Sequence, residues 1–270
     1  MIPPKFEYEV AESVEQASEL LGRYGSDAKL LAGGQSLLPF LKLRVARPSV
    51  LIDIGRLTEL SYVREDGDEI AIGALTRYSD LEHNEVLKRA CPLLAAACGE
   101  VGDPQVRHMG TIGGACAHAD PASDVPTALV CLEAELVVNG DRKIPAQEFF
   151  QGVFMTAMGP QDVLTEIRVP KTTGGWAYEK FHPRAQDWAI VGVAVATNGG
   201  TRVALTNMGP TPIRATAVEQ ALASGASPEE AAQSATEGTE PIDDPFATAD
   251  YRRHLTPILV RRAIEGASSS

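Results

Sequence analysis

The sequence has little with which to build a metal or nucleophilic centre. Its four cysteines, Cys91, Cys98, Cys116 and Cys131, contain no Cys-x-x-Cys pair, so zinc-finger and ferredoxin spacings are missing. Thiols spaced in this way read as small buried apolar side chains. The five histidines are scattered, and His108 and His118 stand without an H-E-x-x-H arrangement or a carboxylate at ligand spacing. No metal site is expected. G-x-x-x-x-G-K-[ST], G-x-G-x-x-G and G-x-S-x-G are all absent, which argues against a P-loop, a Rossmann dinucleotide site and a nucleophile elbow.

Positive charge is also short. The chain carries 24 Lys and Arg against 36 Asp and Glu, for a net charge of −12. No basic block appears, so nucleic-acid binding, which needs clustered cations, is not expected. No apolar run approaches the roughly 18 residues of a membrane-spanning helix. The opening MIPPKFEYEV lacks the apolar core of a signal peptide. A cytoplasmic protein with reduced thiols and no membrane span is the expectation.

What is present is an ordinary globular composition, 270 residues of which 44% are hydrophobic. That is enough for two or three subdomains. Ser13 and Gln16 form a candidate capping box for a helix that Gly25 ends. AKLLA (28–32) and SVLIDI (49–54) read as strands, with SLLPFLKLR between them as a short helix or turn. This is a β-turn-β or βαβ-like unit. EIAIG reads as a strand followed by a helix capped by Ser79. Residues 86–102 read as an apolar helix interrupted at Pro92. PTALVCL suggests a helix and AELVV a strand, with a hairpin turn at NGDRK. A strand over 162–170 precedes PKTTGGW (170–176), whose composition suggests a linker. Beyond it, AIVGVAVAT and TRVALTNMG form a hairpin through Asn198-Gly199-Gly200. Helices are expected over 216–223, 228–236 and 248–266. The C-terminal third is therefore an antiparallel sheet with helices on one side, and the fold class is α+β.

Two glycine pairs carry the chemistry. Gly33-Gly34 leaves the first strand and is followed by Gln35 and Ser36; Gly113-Gly114 follows Thr111. A glycine pair is either a tight turn or a nest of outward N–H groups that binds an anion. Two pairs with similar polar neighbours suit a diphosphate, which neutral N–H groups and hydroxyls can hold without a lysine. Asp124 or Ser123 reads as the cap of a helix starting near Val125, with Pro126 in its first turn; a carboxylate at Asp124 can also hydrogen-bond a sugar hydroxyl, and the two roles can coexist. Lys180, by itself, reads as a solvated surface lysine.

The stretches LLAGGQSLLPFLKLR, VGDPQVRHMGTIGGACAHADPASDVP, YEKFHPRAQDWAIVGVAVA, LTNMGPTPIRA and DYRRHLTPILVRRAI resemble, in order, the FAD-binding medium subunits of molybdenum hydroxylases of the xanthine dehydrogenase family, and most closely those of aerobic carbon monoxide dehydrogenases. The resemblance implies a vanillyl-alcohol-oxidase-like FAD fold of two N-terminal subdomains, 1–57 and 58–172, and a C-terminal α+β domain, 177–266. By position it implies FAD contacts at Ala32, Gly33, Gly34, Gln35, Ser36 and Leu37, and at Thr111, Ile112, Gly113, Gly114 and Ala115. It places Asp124 at the ribityl or nearby polar atoms, Leu164 against the adenine or ring, Lys180 near the isoalloxazine, and Val101 at a further contact. Gln35 stands where a histidine is common and Ala115 where an asparagine or serine is common. The implied role is electron transfer, from 2Fe-2S clusters in a small partner subunit to an external acceptor. The resemblance further implies that substrate is oxidised at a molybdopterin cofactor in a large partner subunit. The implied assembly is a heterohexamer, a dimer of heterotrimers. No acid–base catalytic residue is implied. A freestanding FAD-dependent oxidoreductase is the alternative; a scaffold that merely kept the fold would not need the glycine pairs.

Overall fold

The computed structural model describes residues 2–172 and 174–269. Met1 of the first expected subdomain, Thr173 of the expected linker and Ser270 of the C-terminal tail lie outside them.

The chain first builds a three-stranded parallel sheet, ordered Glu7–Val10, Val50–Asp53, Ala28–Leu31. The central strand, VLID, is an apolar run because both its faces are covered. Glu7–Val10 was not anticipated: it is an edge strand with two exposed residues, so it lacks an apolar signal. The helix Val14–Tyr24 covers this sheet with Ala17, Leu20 and Leu21. Ser13 accepts from the Gln16 N–H at 3.1 Å. Gln16 Oε1 accepts from the Glu12 N–H at 2.5 Å, one residue earlier than a capping box requires. Gly25 ends the helix at φ 57°.

Next comes a five-stranded antiparallel sheet, ordered Val63–Asp66, Glu69–Gly73, Leu164–Pro170, Glu135–Val138, Arg142–Pro145. Its helices fill the largest core. The apolar stretch splits as expected, into Glu85–Ala90 and Pro92–Gly99, because Pro92 can open a helix but not continue one. The expected Ser79 cap is corrected. That helix begins at Tyr78, and the extended Arg77 holds the N-cap position without a side-chain bond. Pro104–Met109, a helix absent from the sequence expectations, is capped by Asp103, which accepts from the Val106 N–H at 2.9 Å.

The last sheet runs in chain order, Trp176–Phe181, Val191–Ala196, Arg202–Thr206, Ile213–Arg214, all antiparallel. Thr216–Ala223, Pro228–Ala232 and Ala249–Ala267 supply its helices. The middle one stops four residues short of expectation, where the Gln233 N–H turns to Glu230 O, only three residues back, at 3.2 Å. The segment read as a linker is tied down: the N–H groups of Lys171 and Thr172 donate to Asp68 O at 2.9 Å and Ala90 O at 2.7 Å. The helix Asp124–Cys131 joins the second and third layers, with Thr206 Oγ1 bonding Thr127 Oγ1 at 2.8 Å. The fold is α+β, as expected. Among the described residues no helix is long and apolar enough to cross a membrane.

Candidate functional site

The first glycine pair leaves the strand Ala28–Leu31 and enters the helix Leu37–Leu43. Gly34 takes φ 72°, which glycine adopts without strain. Among the described residues, the N–H groups of Gly33, Gly34, Gln35 and Ser36 meet no acceptor. Gly33 answers to a different demand. A Cβ there would lie 2.1 Å from Met109 O, so the loop rests on the backbone just ahead of the second motif.

The second glycine pair is not a turn. It lies in the first turn of the helix Ile112–His118, which Thr111 caps by accepting from the Gly114 N–H at 3.2 Å. The Ile112 and Gly113 N–H groups point inward, to Thr76 O at 3.0 Å and Ala74 O at 2.8 Å. They are spent on the fold, so the expected outward nest of successive N–H groups does not form there. Gly113 is glycine because a Cβ would lie 2.6 Å from that of Ala74. What remains open is the Thr111 N–H, which meets no acceptor among the described residues.

Ala32 and Thr111 line one cleft of about 150 Å³, together with Gly55, Thr58, Ser61 and Arg77. Gly33 and Thr111 are both buried. Buried N–H groups are seldom left without an acceptor. A diphosphate-bearing cofactor such as FAD fits this donor set. A second concavity, of about 470 Å³, lies on the C-terminal layer beside Gly200 and Glu219; none of the expected site residues lines it.

Asp124 does not cap its helix, and Ser123, in the N-cap position, makes no side-chain cap bond. Asp124 turns instead toward the strand Trp176–Phe181. Lys180 Nζ donates to Asp124 Oδ2 at 2.9 Å and to Glu100 O at 2.7 Å, and the Tyr178 hydroxyl donates to Asp124 Oδ1 at 2.7 Å. The Lys180 side chain is 2% exposed and that of Asp124 4%. The surface-lysine reading is therefore wrong: Lys180 faces inward. Burial pushes the Asp124 carboxyl above its ordinary range, against the pull of Lys180 and Tyr178. Burial likewise raises the Tyr178 hydroxyl well above the usual phenol value. Tyr178 escaped the sequence expectations, although its i, i+2 spacing to Lys180 on a strand puts both on one face.

The remaining residues are dispersed. Leu164 is buried in the central core. Val101 follows Glu100, and its carbonyl accepts from Arg107 Nη1 at 3.2 Å. Ala115 lies within the second helix, its N–H spent on Thr111 O. Leu37 opens the helix after the first loop. The four cysteines are buried and unpaired. Burial pushes the Cys91 and Cys131 thiols up to about 12 and raises those of Cys98 and Cys116 as well. Thiols held protonated in this way are poor metal ligands.

Residues 4–172 match the family described as the FAD binding domain in molybdopterin dehydrogenase, and residues 176–267 match the CO dehydrogenase flavoprotein C-terminal domain. The chain is 44% identical to a carbon monoxide dehydrogenase medium chain of Hydrogenophaga pseudoflava, covering 99% of this chain and 98% of that one. It is 36% identical to the 6-hydroxypseudooxynicotine dehydrogenase complex subunit alpha of Paenarthrobacter nicotinovorans, over 99% and 96%. A chain of the Hydrogenophaga pseudoflava carbon monoxide dehydrogenase that lacks the Mo-pyranopterin moiety superposes with a TM-score of 0.95 at 46% identity, covering 100% of this chain and 99% of that one.

Proposed function

The chain belongs to the family of FAD-binding subunits of molybdopterin dehydrogenases, and from that premise we propose that it is the electron-transfer flavoprotein of a molybdenum hydroxylase complex. Electrons reach it from 2Fe-2S clusters of a small partner subunit and leave to an external acceptor, while a large molybdopterin subunit oxidises the substrate. The proposed assembly is a dimer of heterotrimers in the cytoplasm. The observation that carries the reading is the row of open N–H groups from Gly33 to Ser36, directly after Ala32, which lines the same cleft as Thr111. Relatives that match over their whole length are named as medium chains or as subunits of complexes, which favours a partnered chain over a freestanding oxidoreductase.

FAD supplies the redox chemistry, since a flavin can pass electrons singly or in pairs. The chain's own work is to bind and orient. We assign Ala32 to Leu37, with Thr111 and Gly114, to the diphosphate end. Ile112, Gly113 and Ala115 shape that helix start. Asp124 and Lys180, with Val101 nearby, are assigned to the flavin end, and Leu164 to the apolar wall. No side chain is assigned a proton-transfer step. The proposed division into subdomains 1–57 and 58–172 and a domain 177–266 is supported by three apolar clusters, around Ile52, Leu94 and Val193. The protonated, buried cysteines agree with iron–sulfur clusters held by another chain.

The test is the visible spectrum of the purified chain. A flavin band, and co-purification with iron–sulfur and molybdenum subunits, is the expected result. No flavin band after addition of FAD sinks the reading. Substrate turnover by the isolated chain would instead favour the freestanding oxidoreductase.

A further inference from the structure

The cleft holds a cation that neither loop contains. Arg77 lines it with Ala32 and Thr111, and its backbone bridges that of Thr111. Its Nη1 donates to Met109 O at 2.6 Å, the same carbonyl on which Gly33 rests. Among the described residues, no carboxylate lies within ion-pair distance of Arg77. The same Nη1 also lies 3.6 Å from Met109 Sδ; a guanidinium has five N–H donors in a planar fork, so those of Nε and Nη2 remain uncommitted among the described residues. The chain as a whole carries net charge −12, an unfavourable field for a dianion. Neutral N–H groups supply dipoles but no formal charge.

We propose that Arg77 is the charge-bearing contact for the diphosphate of FAD, placed beside the first loop by its bond to Met109 O. This rests on the FAD reading above. Arginine suits the task because its fork can hold two phosphate oxygens at once. The tether to Met109 holds the cation at the seam where the two loops meet, so one side chain fixes the loop contact and supplies the charge.

The experiment is a fluorescence titration of the flavin-free full chain with FAD at low and high salt, alongside its apo melting temperature. The wild type is expected to bind more weakly as salt rises. Arg77→Gln is expected to weaken FAD binding by roughly tenfold or more and to flatten the salt dependence. Arg77→Lys keeps the charge and is expected to keep the salt dependence with intermediate affinity. Arg23→Gln, an equal change of net charge at an exposed residue of the helix Val14–Tyr24 that does not line the cleft, is expected to match the wild type. Binding by Arg77→Gln within about twofold of wild type, with the salt dependence intact, overturns the proposal. So does an equal loss in Arg77→Lys and Arg77→Gln at unchanged salt dependence, which would leave Arg77 as a tether for Met109 alone. A wild type that binds no FAD overturns the parent reading, a distinguishable result.

Discussion

Lys180 and Asp124 form a buried ion pair, 2.9 Å from Nζ to Oδ2. Each sits on a different layer of the fold, one on the strand Trp176–Phe181 and the other at the start of the helix Asp124–Cys131. Two charges taken out of water tolerate neither partner's loss. Asp124→Asn is expected to cost about 3 to 5 kcal/mol, because it strands the ammonium. Lys180→Met in the same chain should return part of that. Chemical denaturation of the singles and the double measures the coupling; strictly additive losses would mean the pair is not formed.

Gly33→Ala tests the seam between the loops. The added methyl would lie 2.1 Å from Met109 O, and backbone cannot swing aside as a side chain can. The loop must lift, at a cost of about 1 to 3 kcal/mol, and flavin content after purification should fall. Gly114→Val should also lose flavin, since its Cβ would lie 2.8 Å from the Thr111 Oγ1 that caps the helix. Full flavin occupancy in either variant contradicts the assigned cleft.

His118 makes stability depend on pH. Its ring packs against both Phe40 and Phe154, at centroid distances of 5.1 Å and 4.9 Å, and those two rings also meet edge to face at 5.6 Å. Burial lowers its basicity, and Asp120 at 3.9 Å opposes this in part. The folded chain therefore binds this proton less readily than the unfolded chain does. Stability from this group is present at neutral pH and declines as pH falls below the unfolded value of about 6.5. His118→Phe should give a flatter stability curve over that range in thermal melts; an unchanged acid-side slope would exclude His118 as its source.

Arg252 is 1% exposed, donates to Ile190 O and Ile242 O, and pairs with Asp244. Arg252→Met leaves those acceptors unpaired and should cost about 3 kcal/mol. Arg253→Met, whose partner Asp250 is exposed, should cost under about 1 kcal/mol. Equal losses in the two variants would contradict this difference in burial.

Much of the fold was legible because its signals are local. The cap at Ser13, the stop at Gly25, the break at Pro92 and the Asn198-Gly199-Gly200 hairpin each depend on a few adjacent residues. The edge strand Glu7–Val10 was not legible, because its place is set by pairing with Val50–Asp53. In the site, both glycine pairs stood out as positions of glycine, but the sequence treated them alike. Gly34 serves backbone conformation, Gly33 yields room to Met109 O, and Gly113 yields room to Ala74.

The sequence by itself determined the fold class, most elements and the two loops, since periodicity, capping and turn chemistry act over a few residues. Only the tertiary structure decided what those loops face. It spent the Ile112 and Gly113 N–H groups on Thr76 and Ala74, left those of Gly33 to Ser36 open, buried Lys180 against Asp124 and Tyr178, and set Arg77 in the cleft. The reason is physical: whether an N–H or a charge is available depends on which distant groups have already met it, and those meetings are fixed when the layers pack.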